Sequence, residues 1–454
     1  MRGSAKNYLA LSVDYAEAGM YAEATEILQR AVEEKSRKGR SISPMLYYYI
    51  GWYMEKLNNP ELAMQYYEKG ALACPDYCFP NKLHDLLVLK GVIKANPWDS
   101  KAYYYLGNLW YDKKQYAEAI ECWEKSRELD DTFPAVHRNL SLAYYNKLNA
   151  PEKARESLEK AFELDKKDAR VFFELDQLYK KIGVSPSERL KNLERHLNLV
   201  GERDDLYVEY ITLINMRGDY ERAKALMMNR KFHPWEGGEG KITKQYVFAN
   251  IGMGKKLLAE GKYRAALEVL KEAETYPHNL GEGKLIGTKE NHLNYYIGCA
   301  YEALGDYEKA REYYRKATEG QDEPANAMFY NDQPPEMIFY QGLAFARLGE
   351  TDKAKGRFNK LISYGEKHIF DDVKIDYFTV SLPDFLVFDQ DLNKQNVAHC
   401  HFLIGLGYLG LGNHAKAREE FEKVLALDPN HMGAVMHMQM LSEEFGGKGT
   451  GSLP

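Results

Sequence analysis

The chain has 454 residues, with 61 Lys plus Arg against 67 Asp plus Glu and a net charge of −6, both signs interspersed. No one-sign field exists to draw in nucleic acid or an anionic membrane surface, so nucleic acid is excluded as an expected partner. No apolar run reaches the length of a bilayer span and MRGSAKNYLAL lacks the h-region of a signal peptide, which predicts no membrane insertion and a cytoplasmic location.

In chain order, residues 1–4 read as a vector-derived start, and a repeat of two helices then occupies 5–230. Its register is set by Leu11, Tyr15, Gly19, Tyr21, Ala24, Leu28 and Ala31, and continues through Ile50, Gly51, Ala63, Tyr67 and Pro75. It recurs at Tyr103, Leu106, Gly107, Trp110, Tyr116, Ala119 and Trp123, then at Leu140, Tyr144, Ala154, Leu158 and Ala161. Small residues let two helices approach, large ones fill the groove opposite, and Gly ends the first helix in a left-handed turn. Pro80 to Ala95 reads as an extra helix outside the register, and 169–199 as degenerate repeats. Later repeats are clearer, with Ile297, Gly298, Tyr301, Gly305, Tyr307, Ala310, Tyr314 and Ala317, then Ile404, Gly405, Tyr408, Gly412, Ala417, Phe421 and Pro429. Residues 431–445 read as a helix capping the last exposed face, and 446–454 as a flexible tail.

These residues resemble the tetratricopeptide signature. The predicted fold is all-α, a right-handed α-solenoid (superhelix) of about ten such helix pairs. The 35 Tyr suit seams between helices that need large rings with one polar end, and five Cys are too few and too uneven for a disulfide framework.

The first-helix position recurs at Gly107, Ser141, Asp176 and Ile211 in steps of 34, 35 and 35, then at Gly254, Gly298, Gly342 and Gly405 in steps of 43, 44, 44 and 63. Residues 231–430 therefore carry insertions, at 231–245, 276–290, 320–335 and 364–396. Each lies between one repeat and the next, so a stacked array brings all four to one edge, where solenoids commonly build a binding face. The strings FHPWEGGEGK, YPHNLGEGK, DYFTVSLPDFLVFD, AYYYLGNLWYDKKQYAEAIECWEKS and RDDLYVEY resemble the helical C-terminal portion of a large bacterial family. In that family the repeats follow a galactose-mutarotase-like β-sandwich domain of unknown function. The resemblance implies a carbohydrate context and a β-sandwich partner within the same parent chain, and it brings no catalytic residues.

Two groups of residues are candidates for binding. Tyr48, Trp52, Tyr104, Asn108, Tyr111, Arg138, Tyr145, Phe173 and Gln177 should point from first helices to the concave surface, where rings and amides suit a peptide or a sugar. The competing reading is that these rings pack against the next repeat. His233, Trp235, Glu236, Glu239, Glu282 and Lys284 cluster in the first two inserts, where carboxylates beside an indole could grip sugar hydroxyls or act as acid and base. Against this stands the reading that Gly-rich loops simply turn the chain while Glu caps helix starts or pairs with Lys. Cys74 and Cys78 could share a helical face, but no His cluster completes a metal site, and GEGK lacks the spacing of a phosphate loop. No cofactor, metal or catalytic motif is recognised. The predicted function is a protein-interaction scaffold that docks a protein or a sugar-binding domain, with a carbohydrate-processing enzyme component as the alternative.

Overall fold

A computed structural model describes residues 5–235, 237–326, 333–374 and 387–445, and their regular structure is helical throughout. Two compact units form, Met1–Val171 and Phe172–Pro454, so the division falls ahead of the first insert. In the first unit Ala5–Glu17 (α1) pairs with Tyr21–Arg37 (α2), Pro44–Lys56 (α3) with Pro60–Leu72 (α4), Ser100–Asp112 (α6) with Tyr116–Leu129 (α7), and Pro134–Asn146 (α8) with Pro151–Leu164 (α9). The extra helix Leu83–Ala95 (α5) lies against α3.

Ala169–Lys181 (α10) begins at the junction and is followed by Pro186–Arg195 (α11) and the short Leu197–Val200 (α12). The second unit continues with Asp204–Met216 (α13) and Tyr220–Met228 (α14), Lys241–Ala259 (α15) and Tyr263–Glu272 (α16), and Asn291–Ala303 (α17) and Tyr307–Thr318 (α18). Met337–Arg347 (α19) pairs with Thr351–His368 (α20), Leu392–Gly410 (α21) with His414–Leu427 (α22), and Met432–Phe445 (α23) ends the described chain. Ten helix pairs are therefore present among the described residues, the number the repeat register predicts.

Local chemistry explains the boundaries. Pro opens α3, α4, α8, α9 and α11, where a missing N–H costs nothing. Asn59, Asp99, Ser185, Asp306, Asp391 and Asn413 cap helix starts by accepting a backbone N–H. Within every pair the turn passes through one residue of positive φ. Gly supplies it at 19, 183, 218, 261, 305, 349 and 412, whereas Asn58, Lys114 and Asn149 do so at φ 57°, 59° and 48°. Lys114 carries the steric cost that Gly avoids.

Packing within a pair follows one rule. A Cβ added at Gly107 would stand 2.5 Å from the Trp123 ring, and one at Gly51, Gly298 or Gly405 would meet Tyr67, Tyr314 or Phe421 as closely. In each case the ring comes from the second helix, sixteen residues along, and fills the space that a first-helix Cβ would take. The pair α10/α11 departs from this rule. Asp176 takes the small first-helix position and Arg189 the Ala position, both fully buried, with Arg189 Nε donating to Asp176 Oδ1 at 3.0 Å. Arg189 also donates to Glu209 Oε2 at 2.9 Å and to Asn430 Oδ1 at 2.9 Å.

The last helix does more than cap. It packs on α22, but it also touches α13 and α21, and bonds reach it from α15 and α19. It therefore runs across first helices of several repeats of its unit, in addition to covering the final pair.

Candidate functional site

In the first unit, residues 104, 108 and 111 of α6 stand on one helical face at i, i+4 and i+7, beside Arg138 and Tyr145 of α8. All five are half-buried. Asn108 Oδ1 accepts from Trp123 Nε1 at 3.1 Å and from Asn139 Nδ2 at 2.9 Å, and Arg138 Nη1 lies 3.4 Å from Asn139 Oδ1. Tyr104 meets Phe133 edge-on at 4.8 Å between centroids, and Tyr111 sits between Tyr116 and Trp123 at 5.0 and 5.2 Å. The result is a strip of ring edges and carboxamides held in place by bonds from Trp123 of α7 and Asn139 of α8.

Two groove expectations need correction. Tyr48 does not face a groove: it is 0% exposed, its ring lies on Gly70 and its hydroxyl donates to Asp99 Oδ2 at 3.0 Å. Trp52 is half-buried because the extra helix covers it, with the indole against Gly91 and Lys56 over its ring at 5.1 Å. In the second unit Gln177 is buried and Phe173 half-buried beneath Arg203, 5.2 Å away. Cys74 and Cys78 share no helical face, since both follow the end of α4, Cys74 exposed and Cys78 buried.

The inserts do meet. Phe232 N–H donates to Asn279 O at 2.8 Å, and Asn279 Nδ2 donates to the carbonyls of Met227 and Arg230, both at 2.8 Å. Gly281, at φ 79°, brings its backbone against Phe232 O, an approach that any Cβ would block. Glu282 accepts the Gly240 N–H at 2.8 Å, so the second insert caps the start of α15. Burial raises the Glu282 pKa against that bond, with Glu239 adding to the rise.

His233 is exposed, and its backbone N–H and Nδ1 both lie on Asp204 Oδ2, at 2.9 and 3.2 Å. Burial opposes ionisation of Asp204, but bonds from His233 and Arg230 bring its pKa below the usual carboxylate value. Trp235 lies on Gly238, Glu239 is exposed, and Glu236 falls outside the described residues. Lys284 pairs with Glu290 and sits 5.8 Å from the Tyr276 ring centre. Of the candidate acidic pair, Glu282 is thus engaged at a helix start, the role that capping chemistry gives it.

The third insert is tied to its surroundings as well. Lys289 reaches Glu319 at 3.3 Å, Gln321 N–H donates to Gln333 Oε1 at 2.7 Å, and His399 Nε2 lies 3.1 Å from Ala325 O. A shallow cavity of about 300 Å³ opens there, lined by Lys284, Lys289, Lys316 and Glu319 among others. Sequence reasoning missed Leu285 and Ile286, which project from the second insert into solvent. Two adjacent aliphatics inside a Gly- and Lys-rich loop were the available signal. Among the described residues no group of three or more His, Cys, Asp or Glu could hold a metal ion, and no helix is long and apolar enough to cross a membrane.

Comparison with known proteins bears on the repeats. Tetratricopeptide-repeat profiles match residues 100–133, 139–168, 292–319, 336–364 and 398–431. Among solved structures, the chain is similar to a thermophilic TPR protein of Thermus thermophilus, with 19% identity, 46% of this chain and 99% of that one covered, and a TM-score of 0.26. It is also similar to YrrB, a TPR protein with an unusual peptide-binding site, with 16% identity, 50% and 89% covered, and a TM-score of 0.29. The matched segments coincide with helix pairs already described, and the chain therefore carries tetratricopeptide repeats in both of its units.

Proposed function

We propose that the chain is a protein-interaction scaffold that docks a partner protein along the insert-bearing edge of its second unit. One observation supports this reading above the others: two inserts stitched to each other hold Leu285 and Ile286 out in water. Covering such a side chain contributes roughly 1.5–3 kcal/mol, so an ordered loop that displays two of them favours a cover. The finer reading comes from the resemblance of the inserts. The partner is a galactose-mutarotase-like β-sandwich domain of the same parent polypeptide, which gives the carbohydrate context. Calorimetric titration of the chain with that domain, produced separately, tests it. Leu285→Ser with Ile286→Asp should weaken association at least tenfold; unchanged affinity, or no association by the wild-type chain, removes the proposal.

A second reading has its own observation. The half-buried strip of Tyr104, Asn108, Tyr111 and Arg138 offers rings and fixed amides to an extended peptide. Tyr104→Ala with Tyr111→Ala should then weaken a peptide ligand that the insert substitutions leave untouched.

A further inference from the structure

Among the described helices of the first unit α5 alone has no mate: α1 to α4 and α6 to α9 pair in order, and α5 rests on α3 and α6. Its inner face is Asp85, Val88, Leu89 and Val92. Asp85 fixes it there, with Oδ1 accepting from the Tyr49 hydroxyl at 2.7 Å and Oδ2 from the N–H groups of Asn81 and Lys82, both at 2.9 Å. The exposed residues of α5 are Leu83, Leu87, Lys90 and Lys94. At i, i+4, i+7 and i+11 they form one stripe, apolar over the first turns and basic over the last.

A turn precedes the helix. Cys78 N–H donates to Pro75 O at 3.2 Å, and the third residue of that turn, Tyr77, has φ 57°. Turns ordinarily give such a position to glycine or asparagine, but here a bulky ring takes it and stands 93% exposed. The strain is kept for a side chain that adds nothing to the core. Phe79 and Trp98, on either side of α5, are 74% and 79% exposed. At those exposures the three rings present on the order of 500 Å². With Leu72, Leu83 and Leu87 also in water, the segment approaches the roughly 800 Å² that each partner of a stable dimer buries.

The stripe is also self-complementary. The exposed Asp76 stands with Tyr77 and Phe79 at one end, leucines occupy the middle, and lysines the other end. A two-fold axis beside Leu83 and Leu87 sets two such helices antiparallel and brings the leucines together. It also carries the Lys94 end of each copy to the acidic and aromatic end of the other, where an ammonium meets a carboxylate and ring faces. An acidic protein or an anionic bilayer would answer the lysines and leave Asp76 against like charge. A second copy answers both ends.

We propose that the chain forms a two-fold dimer in which α5 of each copy is the mate of the other's, a helix pair made between chains. This surface belongs to the first unit, so the proposal stands whether or not the insert edge docks anything.

Sedimentation equilibrium of the full chain tests it. At tens of micromolar the wild type should have twice the chain mass of 52.3 kDa. Leu83→Glu with Leu87→Glu should return it to the mass of one chain with helicity unchanged, because both side chains already stand in water. Lys94→Glu alone should weaken the dimer at least tenfold, and adding Asp76→Lys to it should bring the affinity back to within threefold of wild type. A wild-type chain that stays monomeric overturns the proposal, even if it binds anionic vesicles or an acidic protein. So does a dimer that survives the leucine substitutions, or a charge exchange that recovers nothing of the loss at Lys94. Should the leucine variant lose helicity, the charge exchange, confined to exposed residues, decides.

Discussion

The pairs α6/α7 and α10/α11 meet the same demand in opposite ways. Where the first presses Trp123 onto Gly107, the second buries Asp176 at the glycine's position against Arg189, which stands at the Ala position one turn before that of the ring. The apolar solution is local and complete in itself. The ionic one costs desolvation of two charges, and a buried pair of this kind is weak evidence for stability. Its advantage is reach, because the guanidinium has donors left for Glu209 and for Asn430, on other helices and in the last turn. A glycine and a ring can only hold two neighbours together.

The comparison breaks most visibly at Arg189. Arg189→Ala strands Asp176 without its partner and should destabilise the second unit by about 3–5 kcal/mol in denaturant unfolding. Asp176→Ala with Arg189→Met should recover much of that loss while leaving Asn430 without its donor. A double variant as unstable as the single would show that reach, and not charge pairing, is what matters. Gly107→Ala probes the other solution: its Cβ displaces Trp123 and should cost about 1–3 kcal/mol, confined to the first unit. Loss of stability in the second unit as well would contradict the local character assigned to it. The smallest effect tests the turn. Lys114→Gly should stabilise by about 1 kcal/mol because it relieves a left-handed non-glycine residue, and a fall in melting temperature would show that Lys114 is held there by something else.

Much of the fold could be read from the chain because each pair repeats a physical necessity: a small residue, a ring sixteen positions later, and a residue tolerant of positive φ between them. Asn58, Lys114 and Asn149 hide that last mark, since the backbone takes the same turn without Gly. The sites were harder. Tyr48 and Tyr104 occupy like positions on first helices, but only the neighbours decide their exposure, and Gly70 and Asp99 lie far from Tyr48 in sequence. Asp176 was visible at the small-residue position, whereas its partner Arg189 could have been found only by noting Arg where Ala154 stands one repeat earlier. That Glu282 caps α15 depends on a contact 42 residues distant, which no local pattern contains.

The bond between Arg189 and Asn430 joins residues 241 apart in sequence. Stacked repeats ordinarily fold as a chain of neighbours, able to start anywhere and to unravel from a free end. Tying the last turn of this unit to its first pair raises the contact order and removes the end from which unravelling would begin. The second unit should therefore fold later and melt more sharply than a linear array of the same number of repeats.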